Sequence, residues 1–143
     1  MNVYEWKQHF NKLQKLESGN IGTFEHLNEM NAVRETLHQL SKRITIIDTN
    51  AFRTYSPKDQ EDAFKMFLNC RSIKIVRLAF PFPEQVVFDL MKTLPNLKEV
   101  ETSLEIMDRM IQTGTLTALP GLETIKFTDD NVLESIQFQK ASL

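Results

Sequence analysis

Three histidines, one cysteine and four glycines are the residues of this 143-residue chain from which catalysis would ordinarily be assembled. His9, His26 and His38 all precede residue 40, and none stands at metal-ligand spacing with Cys70 or with a carboxylate on a shared face. Gly19, Gly22, Gly114 and Gly121 form no loop that would cradle a phosphate. No serine has the strand–turn–helix context of a nucleophile elbow. Cys70 reads as a buried core residue, because it precedes its strand where Leu94 and Leu119 precede theirs. The expectation is a non-catalytic protein with no metal site and no cofactor.

Recognition chemistry is better represented. Asp48, Arg77, Glu101 and Lys126 alternate in sign and hold equivalent places in four short apolar runs. In register, neighbours in this row would lie about 4.8 Å apart across a sheet. Such a row is either a self-satisfied ladder, worth about 0–1 kcal/mol per exposed pair, or a charge-patterned face that selects a partner by sign. One column over, Ile46 and Ile75 lie side by side, followed by Glu99 and Thr124. Either the N-terminal helices or a partner must cover those isoleucines. Beyond the runs come Phe52, Tyr55, Phe80 and Phe82, the last two within Phe80-Pro81-Phe82-Pro83. These aromatics either plug the end of the core or serve as exposed anchors, the residue type that dominates interface energetics. Pro81 and Pro83 would stiffen that edge and lower the entropy lost on binding.

The elements that must position these residues begin with two helices. Val3, Trp6, Phe10, Leu13 and Leu16 recur at helical spacing, and Ser18-Gly19-Asn20 punctuates the run. Phe24, Leu27, Met30, Val33, Leu37 and Leu40 continue the period, with Thr23 placed to cap it. Residues 1–41 therefore read as a helical cap on the rest of the chain, or as a homodimer interface. From Ile44 the pattern changes. Ile44–Asp48, Ile73–Leu78, Leu97–Thr102 and Leu122–Phe127 read as strands. Between them, Ser56-Pro57-Lys58-Asp59 is a strong helix start, with Ala63, Phe64, Phe67 and Leu68 as the buried face. Pro83 opens a helix bearing Val86, Val87, Leu90 and Met91; Ile106, Met107, Met110 and Ile111 mark another, ending before Gly114. Val132, Leu133 and Ile136 suggest a last short helix near Asp130, in a C-terminal tail or cap of residues 131–143.

Strand, helix and strand again, about 25 residues apart, require parallel pairing. A doubly wound sheet would bury Asp48, Arg77, Glu101 and Lys126 at heavy cost. A single-faced α/β solenoid leaves them in water, and is the expected fold for one domain spanning residues 1–143. The period is visible as an echo. Thr93-Leu94-Pro95-Asn96-Leu97-Lys98-Glu99-Val100 returns 25 residues later as Ala118-Leu119-Pro120-Gly121-Leu122-Glu123-Thr124-Ile125. First core positions at 44, 73, 97 and 122 give intervals of 29, 24 and 25 residues.

These segments, Ile73-x-x-Val76-x-Leu78, Leu97-x-x-Val100-x-Thr102 and Leu122-x-x-Ile125-x-Phe127, resemble the strand half of leucine-rich repeats. The period resembles the ribonuclease-inhibitor-like branch, including the repeats of F-box substrate receptors, and spans about four degenerate repeats over residues 42–130. The asparagine or cysteine that such repeats carry after the strand is replaced by Ala79, Ser103 and Thr128, and Thr49 and Thr102 stand where leucine is expected. No F-box motif is seen in residues 1–40. The resemblance implies a protein–protein interaction module. Its alternatives are the substrate-receptor part of an F-box-type ubiquitin ligase and an RNA-associated adaptor using Arg77 and Lys126.

Composition narrows these. Hydrophobic residues make up 41% and charged residues 25%, with a net charge of −2 and no block of like charge. That makes nucleic acid an unlikely partner. No apolar run approaches the roughly 18 residues of a membrane span, and the start of the chain lacks a signal-peptide core. A single cysteine suits a reducing setting, so an intracellular location, cytoplasmic or nuclear, is expected. The expected partner is another protein, met at the open sheet face or the aromatic edge.

Overall fold

In the computed structural model, residues 3–19 and 22–128 are described in full, and residues 135–137 by their backbone. The chain divides into two compact units, Met1–Ile44 and Thr45–Leu143.

The first unit is a pair of antiparallel helices, α1 (Tyr4–Ser18) and α2 (Phe24–Ser41). Thr23 caps α2 by accepting from the His26 amide at 3.1 Å. Trp6, Phe10 and Leu13 are buried on α1, and Val33, Leu37 and Leu40 on α2. Trp6 stacks on Phe10 with ring centroids 5.1 Å apart. Its indole N–H donates to Ser41 Oγ at 3.0 Å, and that hydroxyl donates to the Leu37 carbonyl at 2.7 Å. The apolar stripe read along α2 stops short of its N-terminus, where Phe24 is 79% exposed and Leu27 50%. The reason is length. The stripe of α1 ends at Leu16, whose carbonyl already meets the His26 ring at 2.8 Å, so the first turn of α2 has no α1 apolar side chain level with it.

The second unit is an α/β structure. Its strands are β1 (Ile46–Asp48), β2 (Ile75–Arg77), β3 (Glu99–Thr102), β4 (Thr124–Phe127) and β5 (Ser135–Gln137); its helices are α3 (Pro57–Lys65), α4 (Glu84–Thr93) and α5 (Leu104–Gln112). The sheet runs β1-β2-β3-β4-β5, with the first four strands parallel, as the spacing requires. Ser56 caps α3 through the Asp59 amide and Ser103 caps α5 through the Ile106 amide, each at 3.2 Å. Gly114, with φ of +71°, lets the chain leave the end of α5.

The repeat positions hold in three dimensions. Ile44, Ile73, Leu97 and Leu122 are buried, and so are Ile47, Val76, Val100 and Ile125. The third column, Thr49, Leu78, Thr102 and Phe127, is buried as well. One hydrogen-bond device recurs at each step. The Thr45 carbonyl accepts from the Lys74 and Ile75 amides, Lys74 from Lys98 and Glu99, and Lys98 from Glu123 and Thr124, all at 2.8–3.2 Å. Single carbonyls thus extend each very short ladder by one residue.

Four expectations need correcting. Residue Ile136 lies on β5, which pairs antiparallel with β4 and sets Ile136 opposite Ile125, instead of on a helix; Val132 and Leu133 fall outside the described residues. An open strand edge supplies backbone partners that a single helical turn cannot match. Leu68, beyond the end of α3, is 45% exposed while Phe67 is buried, and Ile111 is exposed on α5. Cys70 is half-buried and its sulfur lies 3.1 Å from Ser72 Oγ.

The two threonines of this third column behave differently. Thr49 Oγ1 donates to the Ala79 carbonyl at 3.1 Å and accepts from the Ala79 amide at 2.9 Å. Thr102 Oγ1 is buried with no hydrogen-bond partner. Removing a bonded buried hydroxyl strands its partners, whereas removing an unbonded one relieves a desolvation cost. Thr49→Val should therefore lower stability by about 1–3 kcal/mol, and Thr102→Val should leave it unchanged or raise it, as read by urea unfolding of both variants.

Candidate protein-interaction face

The sheet presents two unlike faces. Ile47, Val76, Val100 and Ile125 point into the core, while their strand neighbours on either side are half-buried or exposed. Pairing across the sheet sets Asp48 beside Arg77, Arg77 beside Glu101, and Glu101 beside Lys126. The expected row is thus in register, but its side chains do not pair in sequence along it.

Arg77 Nε donates to Glu101 Oε2. Lys126 passes over Glu101 and reaches diagonally to Glu99 Oε1 at 3.2 Å. Asp48 turns back on its own chain, where Oδ1 accepts from the Asn50 amide at 2.9 Å and caps the 3-10 turn Thr49–Phe52. The row resolves into two ion pairs and one backbone cap. Glu99 is the member that the row pattern misses. Its period-two spacing from Glu101 places it on the same face, and a lysine is long enough to span a diagonal neighbour. Both glutamates are largely shielded, at 18% and 17% side-chain exposure, while Lys126 and Arg77 keep 43% and 45%. The basic ends screen the acidic ones.

Ile46 and Ile75 are direct register neighbours and both are half-buried, giving the face a small apolar step at its β1–β2 end. Glu99 and Thr124 continue that column, as the spacing indicates.

The four candidate aromatics separate. Phe52 is fully buried, edge-on to Tyr55, Phe64 and Phe67 with centroids 5.9, 5.0 and 6.4 Å away. Phe82 is also buried, packed edge-on against Phe88 at 6.1 Å. Neither can anchor a partner, and both are withdrawn as surface residues. Tyr55 is half-buried; loss of water raises its phenol pKa, and nearby Asp59 adds to the effect. Phe80 alone is well exposed, at 45%, and stacks on Phe82 with centroids 5.1 Å apart and planes 14° from parallel. Its ring is held in place by a core residue beneath it. Sequence spacing cannot separate Phe80 from Phe82, because two residues apart in an irregular loop carries no period.

At the opposite ends of the strands a polar depression of about 360 Å³ is lined by Asn69, Arg71, Thr93, Pro95 and Asn96. Internal bonds hold its walls: Asn96 Nδ2 donates to the Arg71 carbonyl at 2.8 Å, and the Asn69 amide donates to Thr93 Oγ1 at 3.0 Å. Among the described residues no group of three His, Cys, Asp or Glu side chains could hold a metal ion, and no helix is long and apolar enough to cross a membrane.

Comparison with protein-family models, curated proteins and solved structures finds no match.

Two measurements check the assignments. Phe82→Ala should cost about 3–5 kcal/mol as a buried ring, and Phe80→Ala under about 1 kcal/mol, by chemical denaturation. Tyr55 should titrate above the ordinary phenol value of about 10, followed by ultraviolet absorbance in a Tyr4→Phe background. Because the folded pKa is the higher one, the contribution of Tyr55 to stability is fully present below the unfolded pKa and is lost as pH rises through the folded value.

Proposed function

We propose that this chain is a non-catalytic protein-interaction module built as a short, degenerate leucine-rich-repeat solenoid of the ribonuclease-inhibitor-like type. In this reading the helices of the second unit all back one side of the parallel sheet. The other side, with the Phe80 rim, meets a partner protein. The observation that carries the reading is the division of the sheet into a fully buried inner set of columns and an outer face. That outer face keeps Ile46 and Ile75 half-exposed and compensates its own charges. A face whose cations are already matched by Glu101 and Glu99 has little free positive charge for phosphates, which favours a protein partner over RNA. The lone cysteine is compatible with an intracellular setting.

A second reading, pairing of two copies through the N-terminal helices, is favoured by the exposure of Phe24 and Leu27 on α2.

Capture from native lysate separates the two. Ile75→Asp and Phe80→Ala should each reduce partner recovery at least tenfold, with melting temperature within a few degrees of the parent. Loss of about 1.4 kcal/mol per anchor already gives that factor. Recovery unchanged in both variants while folding holds would reject the open face. Sedimentation of a dimer that Phe24→Glu and Leu27→Glu dissociate would move the interface to α2.

A further inference from the structure

The polar depression at the N-terminal ends of β2 and β3 has one charged residue in its wall, and no described acid answers it. Arg71 lines it with Asn69, Thr93, Pro95 and Asn96, around a volume of about 360 Å³. Ligand clefts begin near that size, at about 300 Å³. Among the described residues the Arg71 guanidinium donates no hydrogen bond and enters no ion pair. Lys74, three residues on at the base of the open face, is exposed and likewise enters no ion pair among the described residues. Lys98, whose amide donates to the Lys74 carbonyl, answers Glu123 at 3.8 Å. Arg71 and Lys74 are the surplus.

The walls are fixed in advance. Asn96 Nδ2 donates to the Arg71 carbonyl at 2.8 Å and ties two turns 25 residues apart. Thr93 Oγ1 accepts from the Asn69 amide at 3.0 Å and donates to the Leu90 carbonyl at 2.7 Å. Asn69 is held at φ of +61°, the left-handed region that asparagine enters more readily than most residues. Carbonyls at and just beyond the ends of α3 and α4 are turned back to the chain: Lys65 accepts from the Leu68 amide, Phe67 from Cys70 and Met91 from Leu94, at 3.1–3.3 Å. Donors remain. The guanidinium keeps its whole planar fork and Asn96 Nδ2 a second N–H. Among the described residues the backbone amides of Arg71 and Asn96 donate to no group. A preformed hollow with surplus donors around one unmatched cation is built to receive an anion.

We propose that this depression takes a carboxylate from an acidic segment of a partner protein, with Arg71 as its ion partner and the amides of Asn69 and Asn96 orienting it. A guanidinium meets a carboxylate through two parallel N–H···O bonds, which suits a wall with a single cation. A phosphate dianion would keep part of its charge unmatched there. Asn69, Arg71, Pro95 and Asn96 are all exposed, so a free small acid would bury little of its surface. Affinity must then come from the chain that carries the carboxylate. Leu68, next to Asn69, is 45% exposed and offers that chain an apolar contact, while Lys74 offers a second charge. The site lies at the strand ends and does not depend on the role of the open sheet face.

The test uses the full chain and two labelled ten-residue peptides of glycine, serine and one leucine, one carrying three glutamates and the other three glutamines, followed by fluorescence anisotropy. The glutamate peptide should bind saturably and the glutamine peptide at least tenfold more weakly. Arg71→Gln should weaken binding of the glutamate peptide at least tenfold, and Arg71→Lys, which keeps the charge without the fork, severalfold. Lys58→Gln, the same charge change in the first turn of α3 at its far end, should leave binding within twofold. The Arg71 side chain makes no bond among the described residues, so both Arg71 variants should melt within a few degrees of the parent by circular dichroism. In nitrogen-15 NMR spectra the glutamate peptide should shift Asn69, Arg71 and Asn96 and leave Ile46 and Phe80 in place. Absence of binding, equal binding of both peptides, indifference to Arg71→Gln or an equal loss with Lys58→Gln would overturn the proposal. So would shifts centred on Arg77 and Lys126, which would move the acid to the sheet face. Displacement of the peptide by inorganic phosphate but not by acetate at equal ionic strength would also overturn it, making the ligand a phosphate.

Discussion

Zero-offset parallel pairing of β1 through β4 is the constraint on which the second unit depends. Each strand has only three or four residues, too few for propensity to decide where it pairs. The decision falls to the side chains. In the observed register Ile47, Val76, Val100 and Ile125 stack in one buried line, and the columns on either side of them along the strand point outward. A slip of one residue that brings in the C-terminal neighbour would exchange the aliphatic side chain for Asp48, Arg77, Glu101 or Lys126. Burying such a charge without a partner costs several kcal/mol, comparable to the whole stability of a small domain. The shared carbonyls of Thr45, Lys74 and Lys98 then extend the ladder where the strands themselves stop.

The surface chemistry is set by that register. Once Glu101 sits between Arg77 and Lys126, both cations compete for one carboxylate. Arginine takes it, and the lysine finds Glu99 two residues back on the same strand. Pairs this exposed contribute about 0–1 kcal/mol each to stability. Their larger consequence is for recognition, because a partner that engages Arg77 or Lys126 must also leave Glu101 or Glu99 satisfied. The apolar step of Ile46 and Ile75 and the propped ring of Phe80 carry no such obligation. Affinity at this face is therefore easier to gain from apolar contacts than from charge, and charge acts chiefly to exclude mismatched partners.

How much of this is legible in the sequence depends on the length scale of the signal. The parallel order, the three buried columns and the capping Ser56 are readable, because a period of about 25 residues or a fixed three-residue offset leaves a mark in one dimension. Glu99 escapes a reading that runs straight across the strands, since its partner Lys126 lies on the diagonal. Phe80 and Phe82 look alike in sequence because their fates turn on Phe88, which lies below one and not the other. The α2 stripe reads longer than its buried extent because periodicity reports an apolar face, not the length of the helix opposite. Ile136 belongs to a strand because β4 offers it an unpaired edge, a feature of the folded sheet that is invisible in six residues of sequence.

The two threonines of the third buried column, Thr49 and Thr102, are tied to their neighbours in different ways. Thr49 makes a two-way bond to Ala79, in the stretch after β2. That bond joins positions 30 residues apart and fixes the start of the loop that carries Phe80. Thr102 does nothing comparable with its hydroxyl; there its carbonyl supplies the link, accepting from the Thr128 amide at 3.0 Å and from the Thr128 hydroxyl at 3.3 Å. The same column is thus held through the hydroxyl of Thr49 at one end and through the carbonyl of Thr102 at the other. In both places a hydrogen bond between turns far apart in sequence takes over from apolar packing, and the turn after β2, which presents Phe80, is secured through the Thr49 hydroxyl.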